Sequence, residues 1–180
     1  GGWEEEVFYS MYRVGICNCI LERPWNEIQD AFLQAWSYRP CRAEPLWQLS
    51  RLYRQNGNPR LAYLFAKQGL GFEFPEQDIL FIAHDIWDWQ LLDEIAATAF
   101  YLHKFEEGLA ACNLLLRNPR FPKEHHERTR ENVNHYTNAI KEQNEQRLEL
   151  EKKTDKLRKS ESQVEDIRPK TYKKRKKQKN

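Results

Sequence analysis

Along the first 140 residues the apolar positions fall on helical spacings, and no stretch alternates well enough to demand a sheet. With the proline and glycine punctuation, the pattern predicts helices over about 3–22, 24–38, 44–56, 59–70, 88–102, 105–117 and 123–157. Pro24, Pro45 and Pro59 stand at or near first helical turns, where a missing N–H is harmless. Pro40, Pro119 and Pro122 fall in connections. Ile79-Leu80-Phe81-Ile82 is the one run with strand character, and a single strand would have no partner.

Three segments share one layout: a helix, a short loop, a bulky or ring residue, then a second helix carrying small residues. The first runs from Trp25-Asn26-Glu27-Ile28 through Phe32 and Ala35 to Tyr38-Arg39-Pro40. In the second, Gly57-Asn58-Pro59 leads to Ala62, Ala66 and Gly69. The third runs from Phe105-Glu106-Glu107-Gly108 through Cys112 and Leu115 to Asn118-Pro119. Trp25, Pro59 and Phe105 are separated by 34 and 46 residues, and so are Ile28, Ala62 and Gly108. A 34-residue helix–turn–helix period is that of the tetratricopeptide repeat, and the longer spacing adds a 12-residue insertion. The match is partial: Gly57 holds the inter-helix glycine position, which Arg23 and His103 occupy in the other units.

Helix packing explains such a pattern. Ala62, Ala66 and Gly69 keep one helix face thin so that a neighbour approaches closely, while Trp47, Leu49, Leu52 and Tyr53 supply bulk. One hairpin cannot bury both its faces, so stability comes from stacking on the next. The fold expected is all-α: a tetratricopeptide-like helix-turn-helix array of about three repeats, a long C-terminal capping helix and a disordered basic tail. Unrelated helical hairpins are the competing reading.

Charge divides the chain. The formal net charge of +2 joins residues 141–180, with 15 basic and 8 acidic residues, to a net-acidic remainder. All six Trp and all four Cys lie in the first part. The expected domains are therefore a repeat domain over 1–140 and a charged extension with a basic tail over 141–180. Leu150, Leu157 and Val164 are seven apart, but Lys153 and Ser160 interrupt the seam, which favours a solvated helix over a coiled coil. No run of eighteen apolar residues and no basic-then-apolar leader occurs, so no membrane span and a cytoplasmic location are expected. Cys17, Cys19, Cys41 and Cys112 show no repeated spacing and read as reduced thiols.

Candidate chemistry is sparse. Asp78, His84, Asp85 and Asp88 in the insertion suggest a cation site, although a hard cation wants more oxygens on one rigid loop. The plainer reading makes Asp88 a helix N-cap and Ile79 to Ile86 a plug on the array's edge. Glu124-His125-His126-Glu127 lacks a His pair three or four apart, and its acids suit a helix first turn, as do Glu4, Glu5 and Glu6. No phosphate loop, nucleophile elbow or activated Cys/His arrangement appears, so no catalytic, cofactor-binding or metal residue is assigned. The basic run Lys170 to Lys179 suits weak nucleic-acid contact, but lacks the interleaved aromatics that stack on bases, and a solubilising tail explains it equally. The expected contact surface is the array's inner face, with Tyr12, Gln48, Arg51 and Tyr53 as partner-binding candidates and repeat packing as the alternative.

Several blocks carry a family resemblance: residues Gly1 to Ser10, Ala35-Trp36-Ser37-Tyr38-Arg39-Pro40, Arg42-Ala43-Glu44-Pro45-Leu46, Asp78-Ile79-Leu80-Phe81 and Trp87 to Glu94. Over about residues 1–136 the chain resembles the tetratricopeptide-like region that follows the catalytic domain in family-2-type glycosyltransferases of bacteria and some large viruses. The resemblance implies a fragment of a sugar-nucleotide-dependent enzyme whose catalytic domain carries an Asp-x-Asp motif for a divalent cation and the donor diphosphate. This sequence has no Asp-x-Asp, so no catalytic residue carries over. The expected function is a non-catalytic helical accessory that binds a protein partner or orients a glycan acceptor. The alternative is a stand-alone interaction scaffold whose basic tail contacts nucleic acid.

Overall fold

The computed structural model describes the backbone of residues 2–167 and the side chains of residues 3–159. Seven α-helices follow in order: α1 (Gly2–Ile20), α2 (Trp25–Tyr38), α3 (Glu44–Gln55), α4 (Pro59–Leu70), α5 (Leu91–Thr98), α6 (Phe105–Arg117) and α7 (His126–Ile167). No strand occurs among the described residues, and Ile79 to Ile82 lie in the loop between α4 and α5. The single helix expected over 88–102 is three pieces: a π-helical turn (Ile86–Gln90), α5, and a 3-10 turn (Ala99–Leu102). Trp87 packs on Phe74 while Trp89 packs on Phe121 and His125, and the widened turn serves both indoles. A 3-10 turn (Lys123–His125) likewise delays the start of α7.

One backbone device closes each of three helical hairpins. Glu22, Gly57 and His103 all have positive φ, at 49°, 73° and 56°. At each, the N–H bonds the carbonyl three residues back and the next N–H bonds the carbonyl five back relative to the left-handed residue plus one. The pairs are Glu22 to Cys19 with Arg23 to Asn18, Gly57 to Arg54 with Asn58 to Tyr53, and His103 to Phe100 with Lys104 to Ala99. These bonds satisfy carbonyls left open at the helix end. In the first hairpin the left-handed residue is Glu22, one before Arg23, which the 34-residue spacing sets opposite Gly57. Asn58 then caps α4 by accepting from the Leu61 N–H at 3.2 Å.

Successive helices from α1 to α6 pack on one another, and α3 also meets α5. Ile28, Phe32, Leu49, Tyr53 and Ala62 form one buried cluster; Ala43, Ile86 and Leu91 form another, with Trp47 and Phe72 against it. Each fully buried Phe or Leu contributes about 1.5–3 kcal/mol of transfer free energy. The thin face of α4 does what its small residues require: a Cβ on Gly69 would lie 2.9 Å from Leu91 Cδ2, so α5 seats closely only on glycine. Ion pairs tie alternate helices together: Arg54–Glu94 joins α3 to α5, Arg128–Asp93 joins α5 to α7, and Lys67–Glu107 joins α4 to α6.

The chain divides into two units, Gly1–Asn138 and Ala139–Asn180. Within the second, every described side chain from Lys141 to Lys159 is exposed. The side chain of Val164 and the basic run Lys170 to Lys179 lie outside the described residues. No described helix is long and apolar enough to cross a membrane.

Candidate functional site

A buried knot of charge fastens the α4–α5 loop to the first helices. Arg42 sits in the tight turn before α3, with its side chain fully buried and its guanidinium 4.6 Å from the Phe8 ring centroid. Its Nε donates to both Glu44 oxygens at 3.0 Å, and its Nη1 donates to Asp78 Oδ2 at 3.1 Å. Nη1 also donates to the Leu80 carbonyl at 3.3 Å, and Nη2 donates to the Phe81 carbonyl at 2.9 Å and to Glu44 Oε1 at 2.6 Å. Arg39 grips the same Asp78 carboxylate from the end of α2, at 2.9 and 2.5 Å. From α1, Glu5 accepts the backbone N–H groups of Ile79 and Leu80 at 2.9 and 2.6 Å.

Electrostatics match the geometry. Burial opposes the charge on Arg42, yet Glu44 and Asp78 outweigh it and the net shift is upward. Hydrogen bonding from Arg39 holds the Asp78 carboxyl below its ordinary value against the effect of burial, and Arg42 adds to this. Asp78 is therefore a structural anion between two arginines and is not the cation ligand its neighbours in sequence suggested. Asp88 is corrected too: it lies inside the π-helical turn, and its carboxylate accepts from Arg120 at 2.5 Å instead of capping a helix. The edge plug is also revised. Ile79 is 81% exposed and Phe81 49%, while Asp78 and Ile86 are the buried members of the segment.

With the loop fixed, a groove of about 360 Å³ opens between α1, α3 and the start of the π-helical turn. Tyr12, Trp47, His84, Asp85 and Gln90 line it. The buried Gln48 stands behind: its Nε2 donates to the Tyr12 hydroxyl at 2.9 Å, and its Oε1 accepts from Arg51 Nη2 at 3.0 Å. The Arg51 guanidinium lies 5.6 Å from the Trp47 ring centroid, and its Nε has no partner. Burial, the largest effect, pushes the Tyr12 hydroxyl above its usual value, so it stays protonated. Because that oxygen accepts from Gln48, its own proton remains available for a ligand.

Of the four candidate contact residues, the structure thus brings Tyr12, Gln48 and Arg51 together and sets Tyr53 apart. Tyr53 is 8% exposed, stacks on Phe65 at 5.5 Å between centroids, and donates to Gln29 Oε1 at 2.6 Å. It belongs with Leu49, four residues earlier, on the face of α3 that enters the core. Trp47, Arg51 and Arg54 occupy the opposite stripe at helical spacing. Residue type alone did not separate these faces. His84 and Gln90 were missed as groove residues because only the loop's fold carries them to Trp47.

His125 and His126 serve as aromatic packing, with the His126 ring stacked on Phe121 at 5.5 Å. No group of three or more His, Cys, Asp or Glu side chains is placed to hold a metal among the described residues. Buried Cys112 is pushed up to about 11 by desolvation, which leaves its thiol unreactive. No family model, curated protein or solved structure matches the chain.

Proposed function

We propose that this chain is a tetratricopeptide-like helical module that orients a glycan acceptor, or holds a protein partner, for a glycosyltransferase-like parent protein, without catalysing the reaction itself. The single observation that carries the binding role is the groove joining the Trp47 and Tyr12 rings to the polar groups of Gln90, Asp85 and His84. A saccharide presents a C–H face, which suits the electron-rich face of an indole, and hydroxyls, which suit amides and carboxylates. The thrice-used hairpin turn and the ion pairs between alternate helices support the repeat reading. Three of the blocks resembling glycosyltransferase accessory regions supply Arg39, Arg42, Glu44 and Asp78, the residues that fix the loop bordering this groove.

The test is retention of oligosaccharides or peptides from a mixed panel by the wild-type chain and by Trp47→Ala and Arg51→Ala. Loss of the retained ligand in both variants is expected. Unchanged retention removes the groove from the account. The rival scaffold reading rests on the basic composition of residues 168–180. It requires salt-dependent binding to DNA or RNA that disappears when those residues are deleted.

A further inference from the structure

A second depression, of about 520 Å³, lies between α3, α5 and α7, and the Trp47 groove uses none of its residues. Arg54, Gly57, Ala97, Tyr101, Arg128 and Asn132 line it. Its neighbour of about 330 Å³ shares Ala97, Tyr101 and Asn132 and adds Phe100 and His135, so the two depressions adjoin along one trough with these three residues as a common border. Two arginines stand in this trough with their forks already anchored from behind. Glu94, almost fully buried, accepts from Arg54 Nε and Nη2 at 2.8 and 2.9 Å, which leaves Nη1 unused. Asp93 accepts from Arg128 Nη2 at 2.9 and 3.0 Å, which leaves Nε and Nη1 unused.

Neither guanidinium is sealed in; their side chains are 37% and 43% exposed. Anchoring matters because a guanidinium held in place loses little further freedom when a ligand arrives. Its remaining donors point in a fixed fork geometry suited to an oxyanion. Beside them, Tyr101 is 65% exposed and Phe100 40%, an aromatic pair in edge contact at 6.3 Å between centroids. At the rim, the left-handed Gly57 has nothing within 4 Å of where a Cβ would stand, so the backbone there is open to a ligand. Asn132 adds an amide able to donate or accept.

We propose that this trough is a second binding site, for a ligand that carries an oxyanion next to an aromatic or apolar group. Arg54 and Arg128 read the oxyanion, and Tyr101 with Phe100 covers the apolar part. The reading stands independently of what the Trp47 groove holds. Carboxylate and phosphate share the oxyanion chemistry, and the experiment separates them.

The experiment is a two-dimensional NMR titration of the full chain with phenyl phosphate, with N-acetylphenylalanine as the carboxylate arm, and with inorganic phosphate as the reference. The expected result is saturable shifts at Tyr101, the Asn132 side-chain amide and an arginine Nε–H with at least one aromatic probe, and a weaker response to inorganic phosphate. Which aromatic probe binds more tightly names the oxyanion. Arg128→Gln is expected to weaken binding roughly ten-fold or more, the size of one charge-assisted hydrogen bond. Tyr101→Ala leaves both ion pairs in place and is expected to weaken the aromatic probes while leaving inorganic phosphate unaffected. Shifts confined to the lysine-rich residues 170–179, no saturable shift with either aromatic probe, or aromatic-probe affinities unchanged from wild type in both variants would overturn the proposal.

Discussion

Gly108 lies against the ring of Tyr136 so closely that a Cβ at position 108 would stand 2.1 Å from Tyr136 Cζ. The ring is held there at both sides of its hydroxyl, which donates to the Ala96 carbonyl and accepts from the Phe100 N–H, each at 2.9 Å. Tyr136 is almost fully buried, so displacing the ring would break both hydrogen bonds. Gly108→Ala is therefore expected to destabilise the chain by about 1–3 kcal/mol through overpacking. In urea unfolding, adding Tyr136→Leu should cost less in the Gly108→Ala background than in wild type. Strict additivity of the two changes would mean that this contact is not the cause.

The three hairpin turns predict opposite effects for opposite substitutions. Gly57→Ala meets no steric obstacle, so its cost is the left-handed backbone alone, about 1 kcal/mol. His103→Gly removes the same strain from a residue with φ of 56° and is expected to stabilise by up to about 1 kcal/mol. Thermal unfolding of the two variants checks this. Equal shifts in one direction would show that the turns are not equivalent.

The Arg42 knot predicts a large effect from one side chain. Arg42→Met leaves Asp78 and Glu44 buried with fewer partners and is expected to cost about 3–5 kcal/mol. Protease cleavage within residues 71–85 should rise at the same time, because the loop's carbonyls lose their donor. A stability loss without faster cleavage there would place the effect elsewhere.

Asp78 gives the knot a pH signature. A carboxyl whose folded value is lowered stabilises the fold above its ordinary value of 3.8, and that contribution is lost as pH falls through the folded value. Asp78→Asn should thus be destabilised by about 1–3 kcal/mol at neutral pH. The gap to wild type should close as the pH falls below the ordinary carboxylate range and Asp78 takes up its proton in the fold. A gap independent of pH would show that the ionised form is not what matters.

Helix positions were legible because the core side chains repeat at helical intervals: Ile28, Phe32 and Ala35 on α2, and Ala62, Ala66 and Gly69 on α4, are buried where the spacing places them. Local conformation without a local signature was not. Glu22 adopts the left-handed turn that glycine announces at position 57, and nothing in its side chain marks it. The charge knot was hidden for a different reason. Arg42 and Asp78 are 36 residues apart, and a lone aspartate near a histidine resembles a ligand until its arginines are in place. The groove was half legible: Tyr12, with Gln48 and Arg51 bonded behind it, follows from its helix, while His84 and Gln90 arrive through the loop that the knot holds.

The most direct test of the binding role is the indole N–H region of the NMR spectrum during titration with the ligand retained from the oligosaccharide and peptide panel. Trp36 is an internal reference, since its Nε1 already donates to the Pro40 carbonyl at 3.2 Å outside the groove. The account predicts a saturable shift of the Trp47 indole, accompanied by the Gln90 side-chain amide, with Trp36 unmoved. A ligand that binds the chain while the Trp47 indole and Gln90 amide stay unchanged would contradict it.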